Sequence, residues 1–134
     1  MRTVRVLTLL GLLSTTALVW PLVAADPPAA KPKQFAYMLK LTPRLHDKAA
    51  WTKDDIAAGQ KHFAYLKAAT EKGQVIFAGR SNEPEDKTFG IVVFEAADEA
   101  AAKEFMNGDE AVKSGIMTAE LHPFMVALQR KPAG

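Results

Sequence analysis

Apolar residues recur at two different spacings along residues 35–130. Four segments are rich in aromatic and branched apolar residues and have the two-residue alternation of strands. Two other segments have the three- to four-residue spacing of amphipathic helices. The predicted order is βαββαβ, with strands at 35–41, 74–79, 88–96 and 116–129 and helices at 53–72 and 99–107. This order predicts an α+β, ferredoxin-like fold: an antiparallel sheet with two helices on one face.

Capping signals set the ends of the predicted helices. Thr52 precedes Asp55 by three residues, which is an approximate capping box, and Gly73 suits the left-handed cap that closes a helix. Asp98 is the predicted cap of the second helix and Gly108 its stop, followed by one more short helical turn. At helical spacing, the core stripe of the first helix is predicted to be Ile56, Phe63, Leu66 and Thr70.

Both faces of the predicted sheet are apolar. In the first strand, one side carries Phe35, Tyr37, Leu39 and Leu41 and the other carries Ala36 and Met38. In the third strand, one side carries Phe89, Ile91 and Val93 and the other carries Val92 and Phe94. Because two helices cover one face only, we expect a second copy of the chain to cover the other, giving a homodimer with face-to-face sheets. The alternative is a half-exposed apolar face, as on many ordinary proteins.

The first 25 residues have the pattern of a signal peptide. Arg2 and Arg5 precede an apolar run at 6–20, and small residues ending at Ala25 form a cleavage site. A membrane anchor is the alternative, but the run falls short of the roughly 20 apolar residues that a span needs. We therefore expect a protein exported to the periplasm or the medium, with no membrane association after the signal is removed.

The rest of the chain is predicted to be one domain at 35–130 between an extended linker at 26–34 and a tail at 131–134. The chain has 17 Lys and Arg against 15 Asp and Glu, and cleavage would remove two arginines and no acid, so the mature formal charge is zero. Without a basic patch, nucleic acid is not an expected partner. The absence of cysteine excludes disulfides, thiolate metal ligands and a cysteine nucleophile.

His62 is the main candidate for chemistry. Its ridge on the predicted first helix is formed by Asp55, Ala58, Gly59, Leu66 and Ala69. A glycine inside a helix costs about 1 kcal/mol relative to alanine, so another backbone or a ligand is expected to need the space. A histidine that is satisfied by a structural hydrogen bond is the alternative. No nucleophile motif, phosphate-binding loop or zinc-type histidine pair accompanies it, so no metal or cofactor is predicted.

Two segments resemble the YciI-like (YCII-related) proteins: "KHFAYLKAATEKGQVIFAGR" and "TFGIVVFEAADEAAAKEFMNGDEAVKSGIMTAELHPF". The resemblance implies a dimeric α+β barrel with an active site in which His62 faces Asp109, and glycines at 73, 79 and 115 match the pattern. Some relatives remove HCl from chlorinated aromatic compounds. The chain departs from the family where Glu110 replaces the proline after Asp109, and where Arg80 replaces the proline that often follows the second strand.

The resemblance implies cofactor-free general acid–base chemistry of the isomerase or lyase type on a small, possibly anionic organic molecule. A carboxylate beside an imidazole fixes its tautomer and stabilises its charged form, which makes His62 a candidate proton carrier with Asp109 as its orienter. The alternative from another class is a non-catalytic dimeric module that binds a small ligand in the same pocket.

Four further residues are candidates for substrate binding. Arg80 and Arg44 are suited to hold a carboxylate or phenolate, with solvated loop arginines as the alternative. Tyr37 is suited to donate a phenolic proton, with core packing as the alternative. His122 shares a strand face with Glu120, where it either lines the pocket or meets water at the dimer rim.

Overall fold

The computed structural model describes residues 32–130. Its elements, in chain order, are β1 Lys33–Leu41, α1 Lys53–Glu71, β2 Val75–Arg80, β3 Phe89–Ala96, α2 Glu99–Gly108, α3 Glu110–Lys113 and β4 Met117–Pro123. Two 3-10 turns, Pro43–His46 and Lys48–Ala50, lie in the connection between β1 and α1. The predicted signal peptide, the linker up to residue 31 and the tail lie outside the described residues.

The four strands form one antiparallel sheet in the order β2-β3-β1-β4. The two central strands are β1 and β3, and they carry the longest apolar runs of the sheet. This strand order, with the helices on one face, is the ferredoxin-like arrangement, so the predicted α+β fold class is confirmed.

The core lies between the sheet and the helices. Phe35, Tyr37 and Leu39 of β1 pack with Leu66 of α1 and Met106 of α2. The opposite face is apolar as predicted; the strand register places these residues on it: Ala36, Met38, Phe77, Ile91 and Val93. Of these, Phe77 is 44% exposed. Among residues 32–130 the helices therefore lie on the face that holds the core, and the opposite face, the open face, has no helix over it. Ala36 and Val93 on the open face are nevertheless buried.

Two strand bounds differ from the prediction by more than one residue. β1 begins at Lys33, so Lys33 and Gln34 belong to the strand and not to the linker. The last strand ends at Pro123, six residues before the predicted end. Beyond it, Phe124 N–H donates to the Gln34 carbonyl and Val126 N–H donates to the Gln34 side chain, so the chain crosses the start of β1 without extending the ladder.

The predicted core stripe of α1 was largely wrong. Ile56 is 50% and Phe63 70% exposed, and Thr70 is also exposed. The buried residues of α1 are Asp55, Ala58, Leu66 and Ala69, which lie on the ridge of His62. The reason is tertiary: Ala58 packs against Ala111 of α3, and two methyl side chains let these helices approach closely.

The helix ends follow the predicted signals, but the reason for a glycine at position 108 differs from the predicted one. The Thr52 side chain accepts from the Asp55 N–H, and the Asp55 carboxylate accepts from the Thr52 N–H, so the capping box is complete. Gly73 has the left-handed φ of 78° expected of a cap. α2 ends at Gly108, but a Cβ there would lie 2.9 Å from the Tyr65 hydroxyl oxygen. Gly108 therefore allows a close approach and is not a left-handed cap.

Candidate active site

His62 and Asp109 meet although 47 residues separate them in the chain. His62 lies in the middle of α1, and Asp109 is the single residue between α2 and α3. The ring nitrogen Nδ1 of His62 lies 2.7 Å from Oδ1 and 2.8 Å from Oδ2 of Asp109. The structure thus brings together the two residues that the family resemblance pairs.

The Asp109 carboxylate is wholly buried and receives donors from two further elements. Tyr37 of β1 donates its hydroxyl to Oδ2 at 2.9 Å, and the Ala111 N–H of α3 donates to Oδ1 at 3.0 Å. Asp109 is therefore also the N-cap of α3. Its own N–H donates to the Met106 carbonyl at 3.2 Å. These bonds fix the turn at which the family has a proline and this chain has Glu110.

Tyr37 has no exposed surface. Burial raises the pKa of its hydroxyl, and the charge and hydrogen bond of Asp109 raise that pKa further. The phenol therefore stays protonated and donates to the carboxylate. The prediction that Tyr37 binds substrate directly needs correction, because its side chain is enclosed by the core. Its place is behind Asp109, which it holds in position.

His62 keeps one nitrogen for a ligand. Its side chain is 18% exposed, and Nε2 has no hydrogen-bond partner among residues 32–130. No buried side-chain nitrogen or oxygen of those residues lacks a partner, so Nε2 is in contact with solvent. Gly59 lies one helical turn before His62, and a Cβ there would meet no atom within 4 Å. Gly59 thus borders open space, whereas the other small residues of this ridge, Ala58 and Ala69, are buried.

Arg44 is already engaged by a carboxylate of the chain. Its guanidinium donates to Oδ2 of Asp55 at 3.0 Å, to Oδ1 at 2.7 Å and to the Ala50 carbonyl at 3.0 Å. These hydrogen bonds, followed by those from Thr52, lower the pKa of the Asp55 carboxyl. The prediction that Arg44 binds substrate is therefore corrected: it ties the β1–α1 connection to the start of α1.

Arg80 and His122 lie away from the His62–Asp109 pair. Arg80 ends β2 and lines a cavity of about 200 Å³ whose walls include neither His62 nor Asp109. His122 pairs with Ala36 on the open face of the sheet, with Nε2 3.8 Å from Oε1 of Glu120. The sheet therefore separates His122 from the pair, so within one chain it does not line a pocket with them. Its side chain is 46% exposed, and the alternative place at a dimer rim stays a prediction.

Sequence reasoning missed the contact between Tyr37 and Asp109. A tyrosine within a run of core residues does signal a buried hydroxyl that needs a hydrogen-bond partner. That signal was present in the first strand, but it does not say which residue 72 positions later accepts the bond. It also missed Lys48 and Glu85, which line the cavity with Arg80.

Among residues 32–130, no group of three or more His, Cys, Asp or Glu side chains is placed to hold a metal ion. None of the helices in this part of the chain has the length and apolar character needed to cross a membrane.

The fold and the site define an α+β protein of the ferredoxin-like type with a histidine–carboxylate pair between α1 and the α2–α3 junction. The profile of the YCII-related domain matches residues 36–124, which is more than half of the chain. The chain therefore belongs to the YCII-related family, and the resemblance seen in the sequence is confirmed. No curated protein is similar enough to match.

Solved structures share the fold at low sequence identity. The 5-chloro-2-hydroxyhydroquinone dehydrochlorinase TftG of Burkholderia phenoliruptrix AC1100, in complex with 2,5-dihydroxybenzoquinone, is 18% identical over 69% of this chain and 93% of that chain, with a TM-score of 0.53. The cofactor-independent oxygenase SnoaB of Streptomyces nogalater is 14% identical over 78% and 100%, with a TM-score of 0.42. The likeness to the dehydrochlorinase shows the fold alone.

Proposed function

We propose that this protein is an exported, homodimeric enzyme that moves protons on a small organic molecule, with His62 as proton carrier and Asp109 as its orienter. One observation carries the proposal. A wholly buried carboxylate lies within 2.8 Å of one ring nitrogen of His62, while the other nitrogen is in contact with solvent. A base oriented by a buried carboxylate is a recurring device for proton transfer.

The geometry suggests the order of events. Asp109 accepts a hydrogen bond from Nδ1–H, which leaves the lone pair of the neutral ring on Nε2. Nε2 takes a proton from a C–H or O–H group of the substrate, and Asp109 stabilises the imidazolium that forms. The same proton then returns at another atom, which is an isomerisation, or a leaving group departs as its anion and the proton passes to water, which is an elimination. No cofactor takes part in this proposal.

The hydrogen bonds to Asp109 support its role as an orienter. The Tyr37 hydroxyl and the Ala111 N–H leave the carboxylate little freedom to rotate, so it holds the ring of His62 in one orientation. The phenol of Tyr37 stays protonated. Tyr37 therefore acts on the Asp109 carboxylate only as a hydrogen-bond donor, beside His62. Three elements of the domain, β1, α1 and α3, therefore hold the pair in place.

The test is a substrate screen with matched histidine variants. Chloride release from 5-chloro-2-hydroxyhydroquinone is measured first, because the dehydrochlorinase shares the fold, and deuterium uptake from D₂O by small enolisable acids and lactones is followed by NMR. We expect turnover that His62→Gln abolishes and His46→Gln keeps, since His46 lies in a 3-10 turn and bonds only the Leu41 carbonyl. Turnover that survives in His62→Gln would exclude the role given to this residue. Binding without any turnover would favour the ligand-binding module instead.

The homodimer is supported by the open face of the sheet. Met38, Phe77 and Ile91 lie there without a helix above them, and apolar sheet faces of this kind pack on other sheets. Light scattering of the purified protein should give twice the chain mass, and Ile91→Lys should give the mass of one chain. A wild-type protein that stays monomeric at high concentration would exclude the dimer.

Export is supported by the sequence pattern of residues 1–25. Mass spectrometry of the protein recovered from the periplasm or medium of a bacterial host should show an N-terminus at Asp26. Replacing Ala25 with a large residue should block this cleavage. An intact N-terminus, or retention in the cytoplasm, would exclude the export proposal without bearing on the chemistry of His62.

A further inference from the structure

A cavity of about 200 Å³ lies where the ends of β1 and β2 meet the 3-10 turns that follow β1. Its apolar walls are the side chains of Leu39, Leu41, Trp51 and Met117. The indole of Trp51 is fixed because its Nε1–H donates to the Leu45 carbonyl at 3.0 Å. The cavity is therefore a preformed apolar space with one rigid aromatic wall.

The volume restricts what the cavity can hold. An apolar cavity of roughly 150 Å³ is enough to bind benzene. At about 200 Å³ this cavity admits one six-membered ring with a small substituent and is too small for a fused two-ring system. Its ligand is therefore a single ring.

The charges at the cavity favour an anion. Nζ of Lys48 and Oε1 of Glu85 form an ion pair at 3.2 Å, so these two charges offset one another. Arg80, the third charged residue of the lining, forms no ion pair within 4 Å among residues 32–130. The charge of Glu85 also interacts with that of Arg80, so the lining as a whole carries one net positive charge. The exposed guanidinium of Arg80 has a planar fork that matches the two oxygens of a carboxylate.

We infer that this cavity binds a monocyclic aromatic carboxylate, with the ring against Trp51 and Met117 and the carboxylate on Arg80. None of the lining residues belongs to the His62–Asp109 pair, so the site goes beyond the proposed function and does not depend on it.

Fluorescence of Trp51 gives a direct readout. The chain has two tryptophans, Trp20 and Trp51, so the full chain with Trp20→Phe reports on Trp51 alone. Benzoate is titrated into the millimolar range with excitation of tryptophan, and so are benzyl alcohol, which has the ring without the charge, and 2-naphthoate, which has the charge on two rings. The same titrations are made with Arg80→Gln and with Lys103→Gln, which removes an exposed cation on α2 outside the cavity.

We expect benzoate to change the Trp51 emission saturably and more tightly than benzyl alcohol, with no saturable change for 2-naphthoate. Arg80→Gln should weaken benzoate by about tenfold or more, because a charge-assisted hydrogen bond is lost, and should leave benzyl alcohol unchanged. Lys103→Gln should bind benzoate as the parent chain does. No saturable effect of benzoate, or equal affinity in Arg80→Gln, would overturn the inference. Adding His62→Gln should not change benzoate binding, which separates this result from the outcome for the proposed function.

Discussion

Two carboxylates are the buried charged side chains among residues 32–130: Asp55 and Asp109. Each lies near the start of a helix, accepts a backbone N–H and contacts a nitrogen base from elsewhere in the chain. Their partners differ. Asp55 holds the guanidinium of Arg44, whereas Asp109 holds the imidazole of His62.

The difference shows that the partner, and not the burial, decides what a buried carboxylate does. A guanidinium keeps its protons at every pH at which the protein is folded, so the Asp55–Arg44 pair is a fixed structural tie. An imidazole gains and loses a proton near neutral pH. The Asp109–His62 pair therefore has a state that can change, and its second ring nitrogen is in contact with solvent.

Asp109→Asn should have the largest effect on stability. The amide offers donors where the Tyr37 hydroxyl and Nδ1–H of His62 both need an acceptor, and nothing solvates the mismatch at a wholly buried position. We expect the free energy of unfolding to fall by about 3 kcal/mol, measured by urea denaturation. Asp55→Asn is the matched change and should cost less, since the freed Arg44 is half exposed and regains water. A larger loss at Asp55 would reverse the comparison.

Tyr37→Phe should come next. It removes one donor from the Asp109 carboxylate and leaves the shape of the core unchanged, so we expect a loss of about 2 kcal/mol in urea unfolding. Tyr65→Phe is the control, because its hydroxyl donates to the Phe105 carbonyl at the edge of the core and should cost less. Equal losses would mean that the hydrogen bond of Tyr37 to Asp109 contributes no more than that of Tyr65 to the Phe105 carbonyl.

Thr52→Ala should destabilise α1 without disturbing His62. The hydroxyl accepts from the Asp55 N–H, and loss of such a cap costs about 1 kcal/mol. The ¹⁵N resonances of the His62 ring, which distinguish the two tautomers, should keep the Nδ1–H form. A change of tautomer in this variant would show that the two carboxylates are coupled through α1.

Gly59→Ala should stabilise the protein by about 0.7 kcal/mol, since alanine lowers the entropy of the unfolded chain and its Cβ meets no atom within 4 Å. Thermal unfolding would measure the gain. Gly108→Ala is the opposite case, because its Cβ would lie 2.9 Å from the Tyr65 hydroxyl oxygen, and it should destabilise. If Gly59→Ala destabilises as well, the space beside His62 is filled in the folded protein in solution.

The smallest expected effect is a change in stability that occurs only at acidic pH. The pKa of Asp55 is lowered in the folded state and lies at about 3.8 in the unfolded chain, so the unfolded state binds more protons between those two values. This part of the stability is complete above the unfolded pKa and is lost as the pH falls through the folded pKa. Urea unfolding from about pH 5 to about pH 2 should therefore show a shallower loss in Arg44→Gln than in Lys103→Gln. If both variants lose stability equally as the pH falls, Arg44 does not contribute to the lowered pKa of Asp55.

The order of elements was predictable because strand alternation and caps such as Thr52 are local in the sequence. The buried side of α1 was not, since the contact between Ala58 and Ala111 selected it over the more apolar side with Ile56 and Phe63. Periodicity shows where the apolar residues lie along a helix. It does not show which small residues allow another helix to pack closely.

The candidate site was predictable only in part. The pairing of His62 with Asp109 came from the family resemblance, because no spacing rule joins residues on α1 and at the α2–α3 junction. Arg44 was assigned to substrate because a loop arginine near a helix start gives no sign that Asp55, already a capping residue, also accepts its guanidinium. The cavity beside Arg80 is lined by residues from all four strands and from two loops, so it exists only in three dimensions.

The position of Asp109 between two helices also has a consequence for folding. Its partners lie 47 and 72 residues earlier in the chain, so the contacts close long loops and need β1, α1 and the end of α2 to have come together. A partly folded chain in which these elements are apart therefore lacks the assembled pair. Recovery of the Nδ1–H signal of His62 during refolding would report the step at which they meet.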